Sequence, residues 1–192
     1  MDRKKINIFT LVICFIYVIS AIYFLLKKDF ASIGIIAFCI VVNIVLLICN
    51  KKLSRLVENN IYVILSLFVM FSSLLGSCFR FYDIINHYDD FLHLWSGIIS
   101  TNIAYLLIKY FIKKEWIKDI NKIFIVIFLF MFTMGIGSLW EVMEFSLDTL
   151  FGMNTQIGGL KDTMIDIIDA LVGGLVSIPY FLGKIKKNLS QN

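Results

Sequence analysis

Apolar residues in this chain fall into six long runs, approximately Ile6–Leu26, Phe30–Cys49, Ile61–Cys78, Phe91–Phe111, Ile123–Leu147 and Met164–Leu182, and short charged segments divide them. A helix rises about 1.5 Å per residue, so about 20 apolar residues cross the hydrocarbon core of a bilayer. Each run is long enough for that crossing. The pattern predicts an all-α polytopic membrane protein with six transmembrane helices. Only Lys27, Lys28 and Asp29 join the first two runs, so those helices form a tight hairpin.

Composition agrees. Of 192 residues 59% are hydrophobic and 17% charged, and the mean hydropathy is +0.87. A soluble domain of this size has too little interior to hide so much apolar surface. There is one proline, Pro179, and no Gly/Ser linker. The expected organisation is a single transmembrane domain over 1–192, with an apolar helical hairpin over 1–50 and a four-helix bundle carrying the polar residues over 61–183. The first run is longer than the apolar core of a signal peptide and no small-residue cleavage site follows it, so it reads as a retained helix. Cys14, Cys39, Cys49 and Cys78 lie in or at the ends of apolar runs without metal-site spacing, and read as small hydrophobes.

The distribution of basic residues sets an expected orientation. With the N-terminus inside, 14 of the 18 Lys and Arg residues fall in inner segments: Arg3, Lys4, Lys5; Lys51, Lys52, Arg55; Lys109, Lys113, Lys114, Lys118, Lys122; and Lys184, Lys186, Lys187. Lys27, Lys28, Arg80 and Lys161 fall outside. The positive-inside rule then places both termini in the cytoplasm and the chain in the cytoplasmic membrane. Five or seven spans would break the alternation.

Acids show the opposite bias. Nine of the fourteen, Asp83, Asp89, Asp90, Glu141, Glu144, Asp148, Asp162, Asp166 and Asp169, gather with His87 and His93 at the outer ends of helices three to six. Helices one and two offer little more than Ser20 and Asn43. Asp89 and His93 stand at i, i+4; Glu141, Glu144 and Asp148 at i, i+3, i+7; Asp162, Asp166 and Asp169 at i, i+4, i+7. Each set shares a helix face. His93 lies roughly 6 Å deeper than Asp89, and Asp169 roughly 10 Å deeper than Asp162. The three stripes therefore occupy one layer in the outer half of the membrane and can line an outward-opening pocket.

Ionised carboxylates at such depth are costly and face the bundle interior. Arg80, Lys161 and the histidines are too few to neutralise nine acids, which leaves protonation or a bound cation. A divalent metal ion is the expected cofactor, with Asp89, His93, Glu141, Glu144, Asp162, Asp166 and Asp169 as candidate ligands. Carboxylates with imidazole suit zinc, manganese or iron; carboxylates alone suit magnesium or calcium. Glu141 or His93 is the candidate general base, and Arg80 the candidate anion or phosphate contact. Glu144 and Asp148 near the C-terminal end of helix five oppose the helix dipole, which also favours a cation.

Plainer roles stand beside these. Asp89 or Asp90 can N-cap helix four and Asp162 helix six. Asp83 and His87 fit a solvated loop, Asp148 a solvated helix end, and Arg80 a side chain reaching to the interface. Glu141, Asp166, Asp169 and His93 lie inside apolar runs, where neither capping nor solvation accounts for them. Gly135, Gly137, Ser138, Gly173 and Gly174 allow close helix approach, and Ser72, Gly76 and Arg80 line up at i, i+4, i+8 on helix three. Trp95, Trp116 and Trp140 fall near helix ends, as in interfacial belts. The terminal lysines suit anionic lipid.

Tyr88-Asp89-Asp90-Phe91-Leu92-His93, with Gly97, resembles the Y-D-x-x-x-H motif of YjdF-like bacterial membrane proteins. Trp140-Glu141-Val142-Met143-Glu144-Phe145 resembles their aromatic-E-x-x-E-aromatic segment. Gly152, Gln156, Asp162-Thr163-Met164-Ile165-Asp166 and Gly173 resemble their G-x-Q, D-T-x-x-D and G stretch. The likeness covers about residues 80–175, and it implies a multi-span inner-membrane protein with these site residues but no particular reaction. A looser likeness to VanZ-like proteins lacks their E-x-x-Q pattern, since Glu144 stands there.

Three functions follow as expectations: a metal-dependent enzyme acting on a lipid or lipid-linked phosphate, an ion- or proton-coupled transporter, or a non-catalytic scaffold. Membrane lipids are the expected partners. The chain has no G-x-S-x-G, H-E-x-x-H or Walker loop, and nothing points to soluble cofactors or nucleic acid.

Overall fold

In the computed structural model the described residues are 2–112, 120–153, 155–156 and 159–190, the last five as backbone only. Lys113, Lys114, Trp116 and Lys118, which carry part of the charge bias and one expected interfacial tryptophan, lie outside the described residues, as do the side chains of Lys186 and Lys187. The elements are α1 (Arg3–Leu26), α2 (Phe30–Lys52), α3 (Asn59–Val69) continuing as a π-helix (Met70–Cys78), a short α4 (Phe81–Ile84), α5 (Tyr88–Phe111), α6 (Lys122–Phe151) and α7 (Leu160–Ser190). Among the described residues there is no strand. Six helices, all but α4, are long and apolar enough to cross a membrane, as the sequence predicts. α6 has 30 residues, about 45 Å of helix at the usual rise, and so outruns the hydrocarbon core.

The chain divides into two compact units, Met1–Tyr88 and Asp89–Asn192. In the first unit the expected hairpin gains α3 and its π-helical continuation as packing partners. Ile13, Tyr17, Ile36, Cys39, Leu74 and Cys78 form their common core. Asp29 opens α2, accepting hydrogen bonds from the Ser32 amide at 3.1 Å and the Ser32 hydroxyl at 2.8 Å. Those bonds hold its carboxyl below the ordinary aspartate value. Some polar groups inside are paired, the Asn43 amide donating to Tyr17 Oη at 3.2 Å and to the Cys39 carbonyl at 2.9 Å, while Ser66 Oγ and the side-chain oxygens of Asn43 and Asn50 make no hydrogen bond among the described residues. Asn50 ties the end of α2 to the start of α3 through the Val57 carbonyl at 2.9 Å.

The third span does not keep α-helical spacing to its end. Its last amide, Phe79 N–H, bonds to the Leu74 carbonyl five residues back at 3.0 Å, the π pattern. Arg80 then leaves the helix at φ 61°. The expected straight line of Ser72, Gly76 and Arg80 is therefore broken, because i, i+4 positions align only in an α-helix. Gly76 does serve packing, since the ring of Tyr82 lies where its Cβ would be.

The second unit is held by close crossings. A Cβ on Gly97 would collide with the carbonyl of Ala170, and one on Gly173 with the carbonyl of Leu94, so α5 and α7 touch backbone to backbone. Further along, Tyr105 and Phe181 stack with centroids 5.3 Å apart, so the two helices run in the same direction. α6 joins them through Thr133, whose hydroxyl lies 2.9 Å from that of Thr101 and whose methyl fills the space beside Gly174. Gly137 faces Ala170, but nothing lies near the place a Cβ would take at Gly135. Gly135 is thus not a close-approach position, contrary to the sequence expectation; it sits on a different face of α6 from Gly137 and Thr133.

Candidate functional site

α5 begins at Tyr88 and α7 at Leu160. Asp89, Asp90 and Asp162 therefore lie in first turns, not at N-caps as the plainer reading has it. The helix dipole favours negative charge there, so the acids suit their positions even before any partner is considered. The glycine crossing does the rest. His93 precedes Gly97 by one turn and Asp169 precedes Gly173 by one turn, so the backbone contact of α5 with α7 sets the histidine and the aspartates side by side.

His93 is 6% exposed, Glu141 4% and Asp166 2%. The imidazole faces a different acid on each side. Nε2 lies 3.4 Å from Asp89 Oδ1 and 3.9 Å from Asp166 Oδ1, while Nδ1 lies 4.0 Å from Glu141 Oε1 on α6. Among the described residues neither oxygen of Glu141 accepts a hydrogen bond, and neither does Oδ1 of Asp166. Leaving a buried acceptor unsatisfied costs about 1–3 kcal/mol, and more when it is charged. Among the described residues, two groups of three side chains have ligand atoms all within 4.8 Å of one another: Asp89, His93 and Asp166, and Asp90, Asp166 and Asp169. Either group could hold a metal ion.

Not every expected ligand joins these groups. Glu141 stands beside the imidazole but on its far nitrogen. Glu144 is bonded within its own helix, accepting from Trp140 Nε1 at 2.8 Å. Asp162 is part-buried one turn before Asp166 and belongs to neither group. Asp148 has a different task. Its carboxylate accepts from the Thr155 amide at 2.8 Å, the Thr155 hydroxyl at 2.6 Å and the Gln156 amide at 3.0 Å. It thereby folds the segment after α6 back over the helix end, where Gly152 provides the left-handed residue at φ 64°. Three donors explain an acid at this helix terminus without a cation, and Asp148 is not simply solvated. Arg80 belongs to the other unit and pairs with Asp83 at 2.7 Å, with 75% of its side chain exposed. Asp83 is thus ion-paired, where the sequence suggested only a solvated loop.

Asp90 belongs to the second of these groups, a place its position beside Asp89 did not suggest. Its signal was present, since Asp90 stands at i, i+3 from His93 and shares that face of α5 as Asp89 does. A cavity of about 420 Å³ opens between α6 and α7, lined by Glu141, Val142, Phe145, Gln156, Leu160 and Thr163 among others. Gln156 donates from Nε2 to Thr163 Oγ1 at 2.8 Å, which bridges the loop to α7 at the cavity wall. Glu141 therefore has one side toward His93 and another toward this cavity.

No solved structure matches the chain. A Thermotoga maritima protein described as uncharacterized is 32% identical over 114 residues, a match that takes in 58% of this chain and 56% of that relative. The chain thus covers about half the length of the curated relative it matches. A family model described as "Predicted membrane protein (DUF2238)" matches residues 4–187, nearly the whole sequence. The chain, with its six apolar helices and buried Asp/Glu/His cluster, belongs to this DUF2238 family of predicted membrane proteins.

Proposed function

We propose that this chain is a metal-dependent membrane enzyme acting on a lipid or lipid-linked phosphate, in which Asp89, His93 and Asp166 hold a divalent cation and Glu141 is the general base. The observation that carries the reading is that both oxygens of Glu141 and Oδ1 of Asp166 are buried beside a buried imidazole and accept no hydrogen bond among the described residues. Several desolvated carboxylates cost several kcal/mol each unless opposite charge is brought to them, and one divalent ion brings two charges at once. The donor set fits: one nitrogen and carboxylate oxygens suit zinc, manganese or iron. Ligands about 2.1 Å from a common ion lie about 3–4 Å apart, so the 4.8 Å spread closes with a side-chain shift of less than about 1 Å.

The two faces of His93 then have separate tasks. Nε2, which faces Asp89 and Asp166, would be the nitrogen that holds the ion. Nδ1 lies 4.0 Å from Glu141 Oε1, and a carboxylate that closed on it would fix the tautomer and raise the basicity of the ligating nitrogen. When bound, the ion supplies Lewis acidity toward phosphate oxygens. Glu141 accepts a proton from a hydroxyl or water entering by the cavity between α6 and α7. That cavity lies within the 300–1,000 Å³ range, roughly, of small-ligand sites. Val142, Phe145 and Leu160 on its rim are exposed apolar residues, a suitable path for a lipid tail. The charge bias favours an outward-facing site in the cytoplasmic membrane with both termini inside.

Elemental analysis of protein purified without chelators tests the reading. Wild type is expected to carry a transition metal, His93→Ala and Asp166→Asn to lose it, and Glu141→Gln to keep it while losing turnover of lipid phosphates. Metal-free wild type sinks the proposal. Flux of Mn2+ into proteoliposomes that depends on Asp166 and Asp169 would replace the enzyme with a carrier. A periplasm-dependent reporter fused after Ser190 should be inactive and one fused at Gly159 active; the reverse pattern overturns the orientation.

A further inference from the structure

We propose that the site holds two metal ions, not one, with Asp166 as the carboxylate shared between them. The inference rests on the metal reading above and adds a second position to it. Asp166 belongs to both clusters of ligand atoms, one completed by Asp89 and His93 and the other by Asp90 and Asp169. It is among the most buried side chains of the chain at 2% exposure, and its Oδ1 receives no hydrogen bond among the described residues. A carboxylate shared by two ligand pairs, with a buried oxygen that accepts no hydrogen bond among the described residues, is suited to bridging, because a carboxylate's two oxygens can serve two ions.

Secondary structure explains how the second pair arises. Asp89 and Asp90 are consecutive in the first turn of α5, so their side chains leave the helix about 100° apart. Asp166 and Asp169 are one turn apart on α7 and share a face. Two helices in backbone contact thus present two acids each to the same gap, with His93 closing one end of it. The two positions differ in chemistry. The first has nitrogen and oxygen ligands; the second has oxygen alone and suits Mg2+, Mn2+ or Ca2+.

Charge decides between one ion and two. Five carboxylates, Asp89, Asp90, Glu141, Asp166 and Asp169, meet one imidazole here. Each divalent ion placed among them offsets two negative charges in a membrane-embedded site, so a second ion lowers the desolvation cost further. A carboxylate-bridged pair is also the arrangement that clamps the attacking and leaving oxygens of an in-line displacement at phosphorus, with ions about 3.5–4 Å apart. It narrows the substrate class from lipids in general to phosphate esters or anhydrides of lipids.

Mn2+ suits both positions and is the probe. Detergent-purified full-length protein, stripped with chelator and equilibrated with Mn2+, should bind two ions per chain and give the exchange-coupled electron paramagnetic resonance signal of neighbouring ions. Asp90→Asn, a near-isosteric change at a part-buried position, should bind one and show the signal of an isolated ion, with an unchanged melting profile. Wild type that binds a single Mn2+ with an uncoupled signal overturns the two-ion site and leaves the single-ion reading standing. Wild type that binds none overturns both. Two ions retained in Asp90→Asn overturn the ligand assignment.

Discussion

Replacing Gly173 by alanine places a methyl group on the carbonyl oxygen of Leu94, with the Ile98 amide nitrogen 3.3 Å from the new carbon. Neither neighbour is a side chain that can rotate away. A carbon and a carbonyl oxygen rest about 3.3 Å apart or more, so α5 and α7 must separate by roughly 1 Å. Overpacking of this kind costs about 1–3 kcal/mol and sometimes more; with backbone on both sides we take about 3 kcal/mol. Removing a helical glycine returns roughly 1 kcal/mol, leaving a net loss of about 2 kcal/mol. Gly97→Ala meets the Ala170 carbonyl at the same crossing and should cost a similar amount. The double variant should cost far less than the sum, because one separation relieves both collisions. Gly135→Ala, with nothing near its Cβ, should be neutral or stabilising by about 0.5–1 kcal/mol. The assay is unfolding in mixed detergent micelles followed by tryptophan fluorescence, with Mn2+ affinity measured alongside, since the same separation draws His93 away from Asp166. Wild-type stability in Gly173→Ala, or full additivity with Gly97→Ala, would refute the backbone contact.

Three further outcomes follow from other contacts. Thr101→Val and Thr133→Val should show a coupling energy of about 0.6 kcal/mol, and no more than about 2 kcal/mol, in a double-mutant cycle; zero coupling would mean each hydroxyl serves only its own helix. Asp148→Ala removes three hydrogen bonds from the segment at Thr155 and Gln156, so proteolysis there should quicken several-fold while the global melt barely moves. Asp29 is held below its ordinary value, which is about 3.9, so its cap is fully formed at neutral pH and is lost only as pH falls through that lowered value. Asp29→Ala should therefore be less stable than wild type at pH 7, and the gap should close in strong acid; a gap that persists there would show that the carboxylate is not the source.

The spans were legible because one physical rule governs them: a run of about 20 apolar residues has nowhere to go but lipid. His93, Glu141 and Asp166 were legible for the converse reason, since charge inside such a run demands an explanation. The end of α3 was not, because Met70–Cys78 has nothing in its composition to announce π hydrogen bonding. Nor was the role of Asp148. Its partners, Thr155 and Gln156, are irregular backbone whose fold no periodicity predicts. Asp90 was hidden by its neighbour. With Asp89 already matched to His93 at i, i+4, the adjacent acid read as a cap, and only the position of α7 gives it a second cluster to join. The same holds for the glycines: Gly173 and Gly135 look alike in sequence, and only the helix packed against one of them separates the two.

The crossing of α5 on α7 also has a schedule. Gly97 and Ala170 are 73 residues apart in the chain, and at about 5–20 residues per second the ribosome needs roughly 4 to 15 s to make that stretch. During this interval α5 is already made, with Asp89, Asp90 and His93 at its N-terminal end, while Asp166 and Asp169 do not yet exist. The apolar part of α5 must hold those polar residues in the membrane with only α6 packed against it until α7 arrives. A chain truncated before α7 should therefore leave α5 poorly retained in the bilayer, and the Asp/His cluster cannot form until the first turns of α7 are made.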